Sequence, residues 1–170
     1  AFLDDDAEAS SGWLEIALDR FRQNAAKPRP PVALGGPTRG RWETARPAWL
    51  SDRLALWLTV WEPHADYRES AVDHLFVGAN MIFLRPALEQ SGGFNPKLGR
   101  QGRGLLSHEE SELWSRMAQS GHVAAYDPRL WVWHYVPAER CRRAWFWRRI
   151  YWEGVSLTRA HRPPGDTRRL

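Results

Sequence analysis

The chain has little of what would make it a disulfide scaffold, a cysteine-zinc module or a membrane span. One cysteine, Cys141, stands among 170 residues. It excludes an intramolecular disulfide and any cysteine-based zinc site, and it suits a reducing compartment. No apolar run approaches the roughly 20 residues that cross a bilayer, and no secretory leader is legible, so the chain reads as soluble or peripheral. Lysine is nearly missing, with Lys27 and Lys97 alone among 24 basic residues, a bias that carries no function by itself. Bases are absent from residues 1–19, which hold Asp4, Asp5, Asp6, Glu8, Glu15 and Asp19. Residues 137–170 reverse that balance, with nine Arg against Glu139, Glu153 and Asp166. The two ends therefore have different partners. There is no internal repeat and no nucleic-acid motif, and no nucleic-acid partner is expected.

What is present is enough for one domain with a core: 43% apolar residues and 11 Trp. The chain opens without Met, inside an apolar run, and is expected to be a fragment whose neighbouring strands lie upstream. That opening, Ala1-Phe2-Leu3-Asp4-Asp5-Asp6, reads as a buried strand delivering three acids to its own mouth. Three adjacent carboxylates repel one another and lose solvation on packing, so they call for a cation or several hydrogen-bond donors. Strand alternation would put Asp4 and Asp6 on one side and Asp5 on the other. The plainer reading is that Asp5 or Asp6 caps the next segment.

Downstream, Ser10 or Ser11 can cap a helix with an inward stripe of Leu14, Ala17, Leu18 and Phe21 that ends near Asn24. Val32 to Leu34 is a short strand stopped by Gly35-Gly36-Pro37. Residues 38–73 read as loop with one helix near 49–60. His74 to Leu84 suggests two strand pieces meeting at Gly78-Ala79-Asn80, where small residues let a ligand approach. Pro86 opens a short helix ended by Gly92-Gly93. Leu98 to Gly104 is a basic, glycine-rich loop containing Arg103, either a lid or a plain surface loop. Ser107 to Gly121 is the clearest helix, with Leu113, Met117 and Ala118 inward and Glu112 toward solvent. Val123 to Tyr126 and Leu130 to Val136 read as strands around an Asp127-Pro128 turn, with His134 on the face of Leu130, Val132 and Val136. Ala138 to about Arg159 is a helix mixing Arg and Trp, followed by a polar tail.

The order AFLDDD, capped helix, VALGGP, FVGANMIFLRP, GGFNPKLGR, HEESELWSRM and WHYV resembles the C-terminal half of the catalytic domain of family 2 glycosyltransferases. The resemblance covers residues 1–156. It implies an α/β fold of GT-A type, a mixed sheet flanked by helices, with the N-terminal nucleotide-binding half missing. Residues 1–137 would be the catalytic portion, 138–160 a basic-aromatic helix packed on it, and 161–170 the tail. The implied activity is inverting transfer of a sugar from a nucleotide-diphosphate donor, of UDP or dTDP type, to a hydroxyl of a saccharide or lipid-linked acceptor. Cell-surface polysaccharide synthesis in the cytoplasm, at the inner membrane face, is the implied setting.

Carried onto this chain, the resemblance gives Asp4 or Asp5 to the ribose and Asp6 of a DXD-type motif to Mn²⁺ or Mg²⁺, with Asp4 as a further candidate ligand of the metal. Such a hard cation would neutralise the departing diphosphate. Gly78, Asn80 and Arg103 are the further candidates for the nucleotide sugar, and Asn80 reads equally as a turn amide. Glu110 falls where the family keeps an aspartate base, one methylene longer here, with Glu109 as the alternative. A base is needed because a hydroxyl attacks poorly until its proton is taken. Ser107-His108-Glu109-Glu110 is also an S-x-x-E capping box, in which Glu110 would serve the helix instead. His134, at a strand end, is a further metal-ligand candidate or a packing residue. The Arg/Trp helix packs its aromatics under the sheet, lies on an anionic membrane, or binds nucleic acid. A noncatalytic docking module is the competing class, and a metal-dependent phosphohydrolase ranks last.

Overall fold

A computed structural model describes residues 1–100 and 105–160. Strand β1 (Phe2–Leu3) leads into the acidic turn, and β2 (Ala7–Ala9) and helix α1 (Trp13–Asn24) follow. Next come β3 (Pro31–Gly35), β4 (Thr38–Trp42), α2 (Asp52–Ala55) with a 3-10 turn at Leu56–Leu58, and β5 (Arg68–Ser70). Then β6 (Asn80–Phe83), α3 (Arg85–Gln90), α4 (Glu109–Gln119), β7 (Val123–Tyr126) and β8 (Val132–Val136) precede a 3-10 turn at Ala138–Cys141 and α5 (Arg143–Ala160). They build two mixed sheets flanked by helices. The larger has the order β1-β6-β3-β7-β5, with β3 and β7 parallel and the other pairs antiparallel. The smaller has the order β2-β8-β4, with β4 parallel to β8.

The pleat of the large sheet sorts its residues between two cores. Ala33, Phe83 and Ala124 face Leu113, Trp114 and Met117 of α4. Their neighbours Leu34, Ile82 and Ala125 face Trp13 and Ala17 of α1. A third core joins Val136 of the small sheet to Leu50, Leu58 and Phe146 of α5. Gly35 and Gly36 carry the chain from one sheet toward the other so closely that a Cβ would strike Phe76 at Gly35 and the Leu130 carbonyl at Gly36.

Several sequence expectations are corrected. The opening strand is not buried: β1 pairs only with β6 in the described residues, and Phe2 and Leu3 stay 36% and 40% exposed. The α1 stripe is rotated. Trp13 and Ala17 are buried while Leu14 and Leu18 face out, because the large indole claims the interior. Neither serine caps α1, which is preceded by Gly12 in the left-handed region, φ 74°. Strands β4 and β5 fill part of the stretch expected to be loop. One strand, β6, and a tight turn replace the two strand pieces, with Asn80 N–H donating to the Val77 carbonyl at 2.9 Å. Glu112 is tied to Arg116 at 2.8 Å rather than solvated, and Arg116 also binds the carbonyls of Ser91 and Gly93. The C-terminal helix begins at Arg143, after the extended Arg142. The polar tail, 161–170, lies outside the described residues.

Asn80 has a different task from the sugar contact expected of it. Its side chain is fully buried, accepting from Trp13 Nε1 at 3.1 Å and donating to the carbonyls of Pro37 and Leu130 at 3.2 and 2.6 Å. One amide thus links α1, β6 and the two connections to the small sheet. Replacing it by Ala strands one donor and two acceptors, and the expected loss is about 2–4 kcal/mol of unfolding free energy, measured by urea denaturation.

Candidate functional site

The acids of the opening do not continue the strand. The Ala7 amide donates to the Asp4 carbonyl at 3.0 Å, so they occupy a turn between β1 and β2. β2 then pairs with β8, placing Ala7 opposite His134. This register brings His134 Nε2 to 3.2 Å from Asp6 Oδ1. Ligand atoms of Asp4, Asp6 and His134 lie within 4.8 Å of one another. Arg140 Nη2 approaches the other Asp6 oxygen at 3.4 Å. Burial lowers the basicity of His134 and favours neutral imidazole, the form that ligates a metal. Its Nδ1 has no hydrogen-bond partner among the described residues. The Asp4 carboxyl is raised, first by desolvation and then by Asp6 and Asp5, against the pull of His134 and Arg100. Two carboxylates and a neutral imidazole at this separation suit a divalent cation such as Mn²⁺.

Asp4, Asp5 and Asp6 form one wall of an open cleft of about 550 Å³. Gly78, Glu109 and Glu110 line the same space. Glu110 leads into α4 without any capping box: the residue before the helix is His108, at φ 76°, and no side chain caps it. Ser107 is engaged elsewhere, its amide donating to Ser156 Oγ at 3.1 Å and its hydroxyl to Glu153 at 3.2 Å. Glu110 is therefore free of the capping role. Burial, and then the charge of Glu109, raise its carboxyl to about 7. The two acids seat against glycines: a Cβ at Gly78 would lie 3.8 Å from Glu110 Cδ, and one at Gly99 3.2 Å from Glu109 Cδ. Arg100 reaches the cleft, whereas residues 101–104 of the expected lid, Arg103 among them, lie outside the described residues.

The remaining wall was missed by sequence reasoning. Arg149, Glu153 and Ser156 of α5 share one helical face, spaced i, i+4 and i+7, and dock on the segment before α4. His108 Nε2 sits 2.5 Å from Glu153 Oε1, and Arg149 Nη1 lies 2.8 Å from Glu153 Oε2. The hydrogen bond to Glu153 raises His108. Burial alone would raise Glu153, but His108 and Arg149 outweigh it and hold the carboxylate low. The helix thus packs Phe146 and also supplies two cleft residues, Arg149 and Glu153. That i, i+4 pair was readable, but the surrounding Arg and Trp concealed which face mattered.

No family model and no solved structure matches the chain. Among curated proteins, it is 26% identical over 157 residues to a glucosyl-dolichyl phosphate glucuronosyltransferase of Haloferax volcanii, covering 92% of this chain and 49% of that protein. It is 29% identical over 158 residues to succinoglycan biosynthesis protein ExoM of Rhizobium meliloti, covering 91% of this chain and 45% of that protein. Both are family 2 glycosyltransferases, and the chain is homologous to them. It spans about half the length of these relatives.

Proposed function

We propose that this chain is the acceptor-side portion of a GT-A type glycosyltransferase that transfers a sugar, with inversion, from a nucleotide diphosphate to a hydroxyl. The observation that carries this reading is the meeting in one cleft of Asp4 and Asp6, backed by the buried His134, with Glu110, whose carboxyl is poised near 7. A general base works best when its pKa lies near the working pH. Glu110 accepts the acceptor hydroxyl proton as that oxygen attacks the anomeric carbon, and the bond from that carbon to the diphosphate oxygen breaks. Asp4, Asp6 and His134 would hold Mn²⁺ or Mg²⁺, which supplies Lewis-acid neutralisation of the leaving diphosphate. Arg140 and Arg100 add fixed positive charge on the same side of the cleft. Asp5, exposed beside them, remains the candidate for the ribose.

The homology to glycosyltransferases supports this over a noncatalytic docking module. The relative from Haloferax volcanii is named for a lipid-linked substrate, and α5 exposes Trp147 and Tyr151, at 67% and 69%, beside Arg148. These support a peripheral contact with an anionic membrane surface carrying the acceptor. No helix of the described residues is long and apolar enough to cross a membrane.

The test is calorimetric titration of UDP and dTDP, with and without Mn²⁺, into the natural-length protein and its Asp6→Asn variant. Binding that requires the metal and weakens at least about tenfold in the variant is expected. Equal binding by both proteins, or none by the folded parent, would remove the nucleotide site from these acids.

A further inference from the structure

A second groove, of about 610 Å³, lies across the Asp52–Trp61 segment from the catalytic cleft. Leu56, Trp57 and Thr59 line the cleft, while Ala55, Val60 and Trp61 line the groove. The segment partitions the two, turning at Thr59, where φ is 62°. Strand β4, the outer strand of the small sheet in the described residues, runs along the groove, which draws on both of its faces. Arg39 comes from one face, level with Trp133, and Trp42 from the other. Gly40 lies so near the Trp42 indole that a Cβ would stand 2.7 Å from it. The ring thus rests against bare backbone.

The chemistry of the walls is selective. Trp42, Trp61 and Trp133 supply three indoles. The same lining carries two ion pairs, Arg39 with Glu62 at 2.7 Å and Arg46 with Asp52 at 2.7 Å. Two guanidiniums and two carboxylates leave no net charge. Nucleotides and anionic lipids need an excess of cations, which this groove lacks. A neutral saccharide offers what the walls match: C–H faces for the indoles and hydroxyls that both donate and accept. Thr38, also in the lining, has a buried hydroxyl with no partner among the described residues.

We propose that this groove binds neutral saccharide units of the acceptor glycan beyond the unit that reacts. The inference rests on the glycosyltransferase reading. The distances favour it: Gly40 is level with His134 in the parallel ladder, and neighbouring strands lie about 4.8 Å apart. His134 in turn touches Asp6. A chain seated along β4 therefore has β8 alone between it and the turn that carries the acids.

The experiment is calorimetry of neutral cello-, laminari- and malto-oligosaccharides, and of an oligouronate, with the natural-length protein and its Trp133→Ala and Glu62→Ala variants. Both positions are partly exposed, and circular dichroism confirms folding. At least one neutral series is expected to bind, each variant weakening it about tenfold while Mn²⁺-dependent UDP binding stays constant. No neutral binding by protein that binds UDP overturns the groove, as does binding indifferent to both substitutions or a preference for the uronate. Saccharide binding that depends on Trp133 in protein that fails to bind UDP upholds the groove as a saccharide site and overturns the nucleotide reading instead.

Discussion

Glu110→Gln is expected to lower the transfer rate by roughly 10²–10⁴-fold while leaving Mn²⁺-dependent UDP binding unchanged. The amide keeps the shape of the side chain against Gly78 but cannot accept the proton of the attacking hydroxyl. Near-normal turnover by this variant would take the base away from Glu110. Glu109→Gln is the informative neighbour. It should lower the Glu110 pKa, because the negative charge of Glu109 is the second cause of its elevation after burial. The acid limb of its rate profile should therefore move to lower pH with only a modest loss at the plateau.

The same carboxyl makes a stability prediction of opposite sign. Its folded value, about 7, stands above the ordinary 4.5, so the folded protein binds this proton more tightly than the unfolded chain. Stability therefore falls as pH climbs from 4.5 through 7, while the fraction of active base rises over the upper part of that range. Glu110→Gln removes the penalty. Unfolding free energy at pH 8 should rise by about 1–3 kcal/mol relative to the parent, with little difference at pH 4, as read by denaturant titration. A residue that merely capped α4 would give the reverse, a variant that is active and less stable.

The sequence was most legible where one physical signal dominated. The apolar, acid-rich and glycine-punctuated order located β3, α3, α4, β7 and β8, and the alternation of β8 put His134 on its buried face. It misled where propensity met tertiary demand. Ser107 is a good cap, but Ser156 and Glu153 of α5 claim it from 49 and 46 residues away, a pairing no local window contains. Asn80 was placed at a ligand for want of any sign that Trp13 would reach it across 67 residues. Strand β4, with Thr38, Arg39, Gly40, Arg41 and Trp42, carries none of the branched apolar residues that announce a strand. It is held by a parallel ladder to β8 and by paired bonds with Trp61. The cleft wall from α5 was hidden for the same reason. Its residues have meaning only against the segment they dock on.

Asp127→Ala is the substitution from which the largest structural loss is expected, about 3–5 kcal/mol. The carboxylate ends β7 with its side chain fully buried. Arg20 of α1 donates to Oδ2 at 2.5 Å, and Arg129 donates to Oδ1 through its backbone amide and Nε, both at 3.0 Å, and to Oδ2 through Nη2 at 2.7 Å. The backbone of Asp127 joins in, its amide donating to the Gly35 carbonyl and its carbonyl accepting from Leu130. This turn therefore fixes α1 and β3 against the crossing into β8, the strand that carries His134. Burial alone would raise the carboxyl, but the bonds from Arg129 and Arg20 outweigh it and hold the folded value at about 2, below the ordinary 3.8. A lowered value stabilises the fold above 3.8, and the contribution is lost as pH falls through 2. Asp127→Asn, which keeps the shape and removes the charge, should cost about 2 kcal/mol at pH 7, with the gap to the parent closing between pH 4 and 2. A gap that stays constant across that range would mean that packing at this turn, and not the buried charge, joins the two sheets.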